Sequence, residues 1–402
     1  KLKNEDKPAF IETLKALKIA DFPVDKEAID IEEVLYLGGK SSNLNLSNIL
    51  GGSEKEQLGN LFHILTLHAP KQIQEELDIL RQMLLSNEKI MLIPAINTLT
   101  FLPDEVKKLI VEFGLDIYSR EPEIFLQLIT IASGIKDDNW KQRIIENNIL
   151  PGLWNAICDD TRDALINTIE VLSGSIEDKV WKRKIIEDVL LQKLISFNVD
   201  IRAAAAGAIG AVSVGLGDEK WKKEIVEDNI MPLTLDNADS VASWSVRSVG
   251  TLSLGVQDGD WKRKIVKDHL LQRLFDNKLK VRITTVETIG RILTEIDSES
   301  FKLVVVKDYL LEKLLDERSV QIKAMESLGN IFSAVANEKW KKEIIETHLL
   351  PMLKSNRENK GTLISMIKEL LLHIKSEEWK LGIIENNFLP KLKSVDWYIQ
   401  SE

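Results

Sequence analysis

The sequence predicts an all-α solenoid, a chain of about ten stacked helical repeats. Three observations predict it: an aromatic–lysine pair on a near-constant period, apolar residues at helical spacing after each pair, and glycines at one register in the second half of each repeat. The pairs are Trp140-Lys141, Trp181-Lys182, Trp221-Lys222, Trp261-Lys262, Phe301-Lys302, Trp340-Lys341 and Trp379-Lys380. Subtracting these positions gives steps of 41, 40, 40, 40, 39 and 39 residues. Such a period is typical of paired-helix repeats, which grow by adding repeats instead of enlarging one core.

The first half of each repeat is predicted to be a helix that begins near the aromatic residue. After Trp261, apolar residues follow at four, five, nine, ten and thirteen positions, which we interpret as one face of a helix with a 3.6-residue period. Asp218, Asn337 and Ser376 each precede a tryptophan by three residues, where their side chains can cap the helix. A proline recurs eleven residues after the tryptophan and is expected to end or kink this helix and start a short new one. These prolines are Pro151, Pro232, Pro351 and Pro390.

The second half is predicted to be another helix, from about Val241 to Leu254 and from about Val281 to Leu293 in two of the repeats. Glycine inside a helix costs up to about 1 kcal/mol relative to alanine. Its recurrence at one register therefore predicts that neighbouring helices approach closely. Gly210, Gly250, Gly290 and Gly329 share this register, eleven residues before the next aromatic, and Gly207 lies in the same helix as Gly210.

The domain prediction has three segments. Residues 1–54 form an N-terminal helical segment with a Gly/Ser/Asn-rich loop, a degenerate cap. Residues 55–392 form the repeat array, whose weaker early repeats start near Pro70 and Val106. Residues 393–402 form a C-terminal tail. Atypical terminal repeats are usual in solenoids because their outer faces meet water.

Composition narrows the partner classes. The net charge of −10 lies mostly in residues 1–139, which hold 15 Lys+Arg against 23 Asp+Glu. An acidic chain is a poor partner for phosphate backbones, so nucleic acid is disfavoured and a basic protein or peptide is favoured. No apolar run approaches the roughly 18 residues of a membrane span. Cys158 is the single cysteine, expected in the core, and fits a reducing cytoplasmic location with the nucleus left open.

The repeats resemble the armadillo/HEAT superfamily of alpha-solenoids. The segment Ile225–Leu233 resembles part of the armadillo unit, and Asp276 with Val281 and Arg282 resembles the HEAT unit. Asp236, Asp316, Arg162 and Arg202 repeat parts of the HEAT pattern. The resemblance covers roughly residues 55–392 and implies a right-handed alpha-alpha superhelix whose second helices line a concave groove. It also implies that the arginines form an Asp–Arg ladder between repeats, which we favour over contacts with a DNA backbone.

The second helices carry the candidate binding site. Positions three before, six before and one after the glycine register form the face opposite the core. Trp244 and Arg247 lie three residues apart on it, and both residue types are enriched among binding hot spots. The predicted partner-binding residues are Asn167, Trp244, Arg247, Glu287, Glu326 and Asn330. The asparagine ladder of importin-like armadillo proteins is matched only at Asn330, which argues against nuclear-import cargo binding of that kind.

The tryptophans of the period are predicted to pack between repeats rather than stack on a ligand, because apolar residues follow each one at helical spacing. The chain has no phosphate-binding loop, nucleophile elbow or paired-cysteine motif, and its five histidines are scattered. We therefore predict no catalytic residue, no metal site and no cofactor. The functional prediction is a non-enzymatic scaffold or adaptor for a protein or extended peptide. The alternatives are a HEAT-scaffold nucleic-acid-binding or processing protein and a structural assembly subunit.

Overall fold

The computed structural model describes residues 122–156, 158–355 and 360–388, together with positions 104, 107, 108 and 111. The predicted segments 1–54 and 393–402, the repeat starts at Pro70 and Val106, and Pro390 lie outside these residues. Within the described ranges the chain is helical and contains no strand, so the all-α prediction is confirmed there. No helix in that part of the chain is long and apolar enough to cross a bilayer.

The chain divides into two compact parts, Lys1–Lys179 and Val180–Glu402. In the N-terminal part, α4 packs on both α1 and α3. The described helices of this part are α1 (Pro122–Ser133), α2 (Asp138–Ile144), α3 (Leu150–Trp154) and α4 (Asp159–Gly174).

The C-terminal part starts within α5 and repeats one pattern. Each repeat, named here after its aromatic residue, has a short first helix followed by a longer second helix. The first helices are α5 (Lys179–Ile185) with α6 (Leu191–Lys193), α8 (Glu219–Glu224), α10 (Gly259–Lys264), α12 (Glu299–Val305), α14 (Glu338–Ile344) with α15 (Leu350–Ser355), and α17 (Glu377–Asn387). The second helices are α7 (Val199–Val212), α9 (Asp239–Ser253), α11 (Leu279–Thr294), α13 (Arg318–Ala334) and α16 (Lys360–Leu371).

The first helix is not one continuous α-helix, which corrects the 3.6-residue interpretation. In the Trp261 repeat, α10 passes into a π-helical segment, Ile265–Leu270, and then a 3-10 turn, Leu271–Phe275. The step of five residues between the two apolar pairs explains this, because a π turn holds more residues than an α turn. It places both pairs, Ile265-Val266 and Leu270-Leu271, in the core.

The predicted caps are confirmed. The Asp218 carboxylate accepts a hydrogen bond from the backbone N–H of Trp221 at 3.0 Å, and Asn337 and Ser376 do the same for Trp340 and Trp379. Pro232 lies at the start of the 3-10 turn Met231–Leu235, as predicted. The Trp261 repeat has Gln272 at the equivalent position, and its first helix also changes to a 3-10 turn there. Proline is therefore compatible with this change of helix type but does not cause it.

The second helices pack consecutively, α7 on α9, α9 on α11, α11 on α13 and α13 on α16. Gly210, Gly250 and Gly290 permit this contact, as predicted, whereas a Cβ atom on Gly329 would meet no atom closer than 3.8 Å. A Cβ atom on Gly210 would lie 2.5 Å from Ser248 Oγ, and one on Gly290 would lie 2.5 Å from Ser327 Cβ. The Ser248 hydroxyl donates to the carbonyl of Ala206 on the neighbouring helix at 2.6 Å. These helices therefore meet at backbone level, which leaves little room for them to slide.

Candidate protein-binding face

Six lysines of the aromatic–lysine pairs are buried, and four of them, Lys141, Lys182, Lys222 and Lys341, donate a hydrogen bond to a backbone carbonyl just past the end of a second helix. The six are between 2% and 7% exposed, at positions 141, 182, 222, 262, 302 and 341. The ammonium group of Lys222 donates to the carbonyl of Leu254 at 3.1 Å, just past α9, and Lys182 donates to Val214 at 2.8 Å, just past α7. The negative end of the helix dipole and its unpaired carbonyls favour a cation there. Burial lowers the pKa of Lys222.

The tryptophans pack between repeats, as predicted. Trp221, Trp261 and Trp340 are buried, and the Trp340 ring lies 4.9 Å from that of Phe332 in the preceding repeat. Trp221 Nε1 donates to Glu187 of the preceding repeat at 2.7 Å, and the guanidinium of Arg183 lies over its ring at 5.4 Å. We call this combination of carboxylate and cation an indole clasp.

The clasp recurs at two other boundaries between repeats. Trp261 is held by Glu227 at 2.7 Å and Lys223 at 5.9 Å. Trp379 is held by Glu346 at 2.6 Å and Lys342 at 5.4 Å. The carboxylate comes from the sixth residue after the preceding tryptophan, so the clasp has its own 40-residue period, which the sequence analysis missed.

The Asp–Arg ladder is confirmed at two boundaries. Arg202 Nη2 lies 3.1 Å from Asp236 Oδ2 of the next repeat, and Arg282 Nη2 lies 3.1 Å from Asp316 Oδ1. Arg162 differs, because it pairs with Asp159 of its own helix at 2.6 Å.

We call the outward positions of α9, α11 and α13 the second-helix face. The predicted residues on it differ in accessibility. Arg247 and Glu287 are half-buried, whereas Glu326 and Asn330 are exposed. Trp244 is only 5% exposed, with the Arg247 guanidinium over its ring at 5.0 Å. The ring therefore supports Arg247 and offers little of its own surface. Asn167 is half-buried on α4, in the N-terminal part.

The charges on the second-helix face interact across three helices. Lys323 on α13 donates to Glu326 at 2.7 Å. This hydrogen bond raises the pKa of Lys323, and the nearby Glu287 carboxylate on α11 adds to the increase while Arg247 on α9 opposes it. The face thus carries a chain of alternating positive and negative charges.

A cleft of about 450 Å³ lies beside this chain of charges. It is lined by Leu254, Arg291, Thr294, Asn330, Ser333 and Ala334. Arg291 and Asn330 occupy the same position of their helices, one residue after the glycine register. Together they present a guanidinium and an amide, which can bind carboxylates and backbone carbonyls.

The predicted face does not continue onto α7. The positions of α7 that periodicity predicts to face outward are Ala204, Gly207 and Ala211, and all three are buried. Side chains no larger than a methyl group cannot project beyond their neighbours, so periodicity alone did not identify an open surface here. Ser248 shows how closely α9 approaches the backbone of α7.

The remaining candidate groups do not form a site. Cys158 is exposed at the start of α4, which corrects its predicted core placement; its Sγ lies 3.1 Å from the hydroxyl of Thr161. That hydrogen bond lowers the pKa of Cys158. Within the described ranges, no cluster of three or more His, Cys, Asp or Glu side chains is arranged to hold a metal ion.

Comparisons with solved structures identify the fold. The chain is similar to Kap121p bound to Pho4p, with 17% identity and a TM-score of 0.59 over 100% of this chain and 45% of that one. It is also similar to the karyopherin Kap121p bound to the SUMO protease Ulp1p, with 18% identity and a TM-score of 0.58 over 98% of this chain and 45% of that one. The chain has the HEAT-repeat alpha-solenoid fold.

The match to Kap121p bound to RanGTP has 17% identity and a TM-score of 0.52, over 98% of this chain and 44% of that one. The chain therefore spans less than half the length of these solved structures. No protein-family profile matches the sequence, and no curated protein matches it significantly.

Proposed function

We propose that this chain is a non-enzymatic scaffold that holds a protein or an extended peptide along the second-helix face. One observation carries the proposal: α9, α11 and α13 are locked together at backbone level, yet present Arg247, Glu287 and Asn330 outward. Rigid presentation lowers the ordering cost of binding, so modest contacts at each repeat can sum to a specific affinity. The Kap121p structures with Pho4p, Ulp1p and Nup53p hold protein partners on a similar fold, which supports this class of function.

The charges on the face favour a partner with both polar and charged groups. Arg247, Arg291 and Lys323 lie near Glu287 and Glu326, so this surface has no strong net sign. The preference for a basic partner rests on the acidic residues 1–139. Nucleic acid remains disfavoured, because Arg202 and Arg282 are engaged by Asp236 and Asp316. We place the scaffold in the cytoplasm, with the nucleus as the alternative.

A peptide selection tests the proposal. Random twelve-residue peptides displayed on phage are selected against the whole chain, and hydrogen exchange with and without the selected peptides shows where they bind. Protection of α9, α11 and α13 is expected. The triple variant Arg247→Ala, Glu287→Ala and Asn330→Ala should weaken binding at least tenfold.

The matched control replaces exposed charges on the first helices, in the triple variant Lys220→Ala, Glu224→Ala and Asp260→Ala. It should bind the selected peptides as the unaltered chain does. Peptides that protect only the first helices, or that bind the face variant with unchanged affinity, would refute the assignment of the face.

A further inference from the structure

An exposed apolar residue stands at the same position of four consecutive repeats, fourteen residues after the aromatic. Ile195 is 84% exposed, Leu235 58%, Phe275 50% and Leu315 43%. Phe197, beside the first of them, is fully exposed. We call these five residues the turn-edge stripe, because each lies where a first helix turns into a second helix.

The core does not explain these side chains. The residue immediately before each stripe position, at Leu194, Thr234, Leu274 and Leu314, is at most 5% exposed and already fills the core. The large apolar side chain one residue later keeps between 43% and 84% of its surface exposed, so core packing does not account for its size. In the Trp340 repeat the same position is Lys354, so the stripe ends there.

Contacts between successive repeats join the turns that carry the stripe residues. The Lys278 ammonium, near Phe275, donates to the carbonyls of Asp236 and Asn237 in the preceding turn, both at 2.8 Å. The Phe275 ring lies 6.4 Å from that of Tyr309 in the next repeat. Adjacent turns are thus joined, and their apolar residues form one row along an edge of the C-terminal part.

The charges between the stripe residues are neutralised within the protein. Asp236 pairs with Arg202, Asp276 with Arg273 at 3.0 Å, and Asp316 with Arg282. These carboxylates are between 10% and 14% exposed. The Lys313 ammonium, which lies over the Phe275 ring at 4.2 Å, is also paired, with Asp316 at 3.2 Å. Paired charges beside an apolar row favour an uncharged partner.

We propose that the turn-edge stripe binds an uncharged, extended segment of a partner protein that carries a large apolar side chain at every third residue. Neighbouring helices lie about 8–10 Å apart. A polyproline II segment has three residues per turn and advances about 9 Å over them, so side chains three residues apart share one face and each can meet one repeat.

The size of the row favours a segment over a second copy of the chain. Exposed apolar patches on monomers rarely exceed about 300–600 Å². A row of five side chains offers an area of that order, below the roughly 800 Å² that each partner buries in a standard protein–protein interface. The row is also one residue wide and flanked by ion pairs, which suits a narrow ligand.

A spaced peptide tests this inference. The probe is a fluorescein-labelled peptide with four repeats of leucine, proline and serine, so that its leucines are three residues apart. Fluorescence anisotropy should show saturable binding to the whole chain. The stripe variant Ile195→Gln, Leu235→Gln and Leu315→Gln should bind at least tenfold more weakly, and a peptide of the same composition with its leucines in one block should also bind weakly.

The control variant Val180→Gln, Val304→Gln and Leu381→Gln replaces equally exposed apolar residues outside the stripe and should bind like the unaltered chain. Circular dichroism confirms that each variant is folded. The inference is overturned if the stripe variant binds the spaced peptide as tightly as the unaltered chain does, or if the block peptide binds as tightly as the spaced peptide. It is also overturned if the unaltered chain shows no binding up to about 1 mM peptide. A dimer in sedimentation that the stripe variant abolishes would assign the row to a second copy instead. Because the stripe lies on the turns, variants of the second-helix face should leave this binding unchanged.

Discussion

The indole Nε1 of Trp221 and the carboxylate of Glu187 lie 2.7 Å apart, 34 residues apart in sequence, and this hydrogen bond joins two successive repeats. A lysine replaces the carboxylate at two of the boundaries between repeats. Lys267 stands where the next aromatic is Phe301, which has no N–H to donate. Lys307 occupies the same position where the next aromatic is Trp340, and the buried Nε1 of Trp340 has no acceptor among the described residues.

Restoring an acceptor should therefore stabilise the Trp340 boundary. Lys307→Gln places an amide oxygen 33 residues before Trp340, the separation that joins Glu346 to Trp379. We expect a gain of about 0.5–1.5 kcal/mol in the free energy of unfolding, measured by urea denaturation. Lys267→Gln is the control, because Phe301 cannot donate to it. Equal gains in both variants would show that the effect does not come from the indole.

Removing the buried ammonium of Lys222 should destabilise its repeat. Lys222→Met keeps much of the aliphatic volume but leaves the Leu254 carbonyl without its donor. The expected loss is about 1–3 kcal/mol in urea denaturation, with faster hydrogen exchange at the end of α9. Lys220→Met, at a side chain that is 88% exposed, should change stability by less than about 0.5 kcal/mol. Similar losses in the two variants would argue against a structural role for the buried lysine.

Alanine at the helix glycines should have opposite effects at two positions of the same register. Gly210→Ala places a Cβ 3.1 Å from the Cα of Ser248, a backbone atom, and should cost about 1–3 kcal/mol. Gly329→Ala meets no atom closer than 3.8 Å and should gain up to about 1 kcal/mol from helix propensity. Thermal or urea unfolding measures both. A loss at Gly329 as large as that at Gly210 would mean that close approach is not the reason for these glycines.

The capping carboxylate of Asp218 should make stability depend on pH. The hydrogen bond from the Trp221 N–H lowers the pKa of Asp218, and Arg183 lowers it further. Its folded pKa thus lies below the unfolded value of about 3.9, so its contribution is present above about pH 4 and is lost as the pH falls through the folded pKa. Asp218→Asn keeps an acceptor, as Asn337 does for Trp340, but does not titrate.

The urea midpoints of the unaltered chain and Asp218→Asn should therefore differ at about pH 7, and the difference should be smaller at about pH 3. The unaltered chain should be the more stable at neutral pH. A difference that stays constant between the two pH values would show that the charge of Asp218 does not contribute.

The spacing of apolar, aromatic and capping residues predicted most of the fold in the described part of the chain. The positions of the tryptophans, the caps at Asp218 and Asn337 and the second helices followed from spacing, because each depends on residues close in sequence. The π segment was also encoded locally, in the step of five residues between Ile265 and Leu270, but it was interpreted as an α-helix.

The site was less predictable. Helical periodicity assigned Trp244 and Ala204 to an outward face, yet both are buried. Periodicity gives the direction of a side chain from its own helix axis, whereas exposure depends on how closely the next helix approaches. Cys158 was misplaced for the same reason, since residue type indicates a tendency and not the local packing.

By itself, the sequence determined the repeat length, the helix pairs and the register of their apolar residues, since all of these arise from hydrogen bonds and side-chain directions within a few residues. Tertiary structure decided which lysines are buried, which carboxylate accepts from which indole, and which apolar side chains remain in water at the turns. Those outcomes depend on contacts between residues some 34 or 40 positions apart, and only the stacking of one repeat on the next brings such residues together.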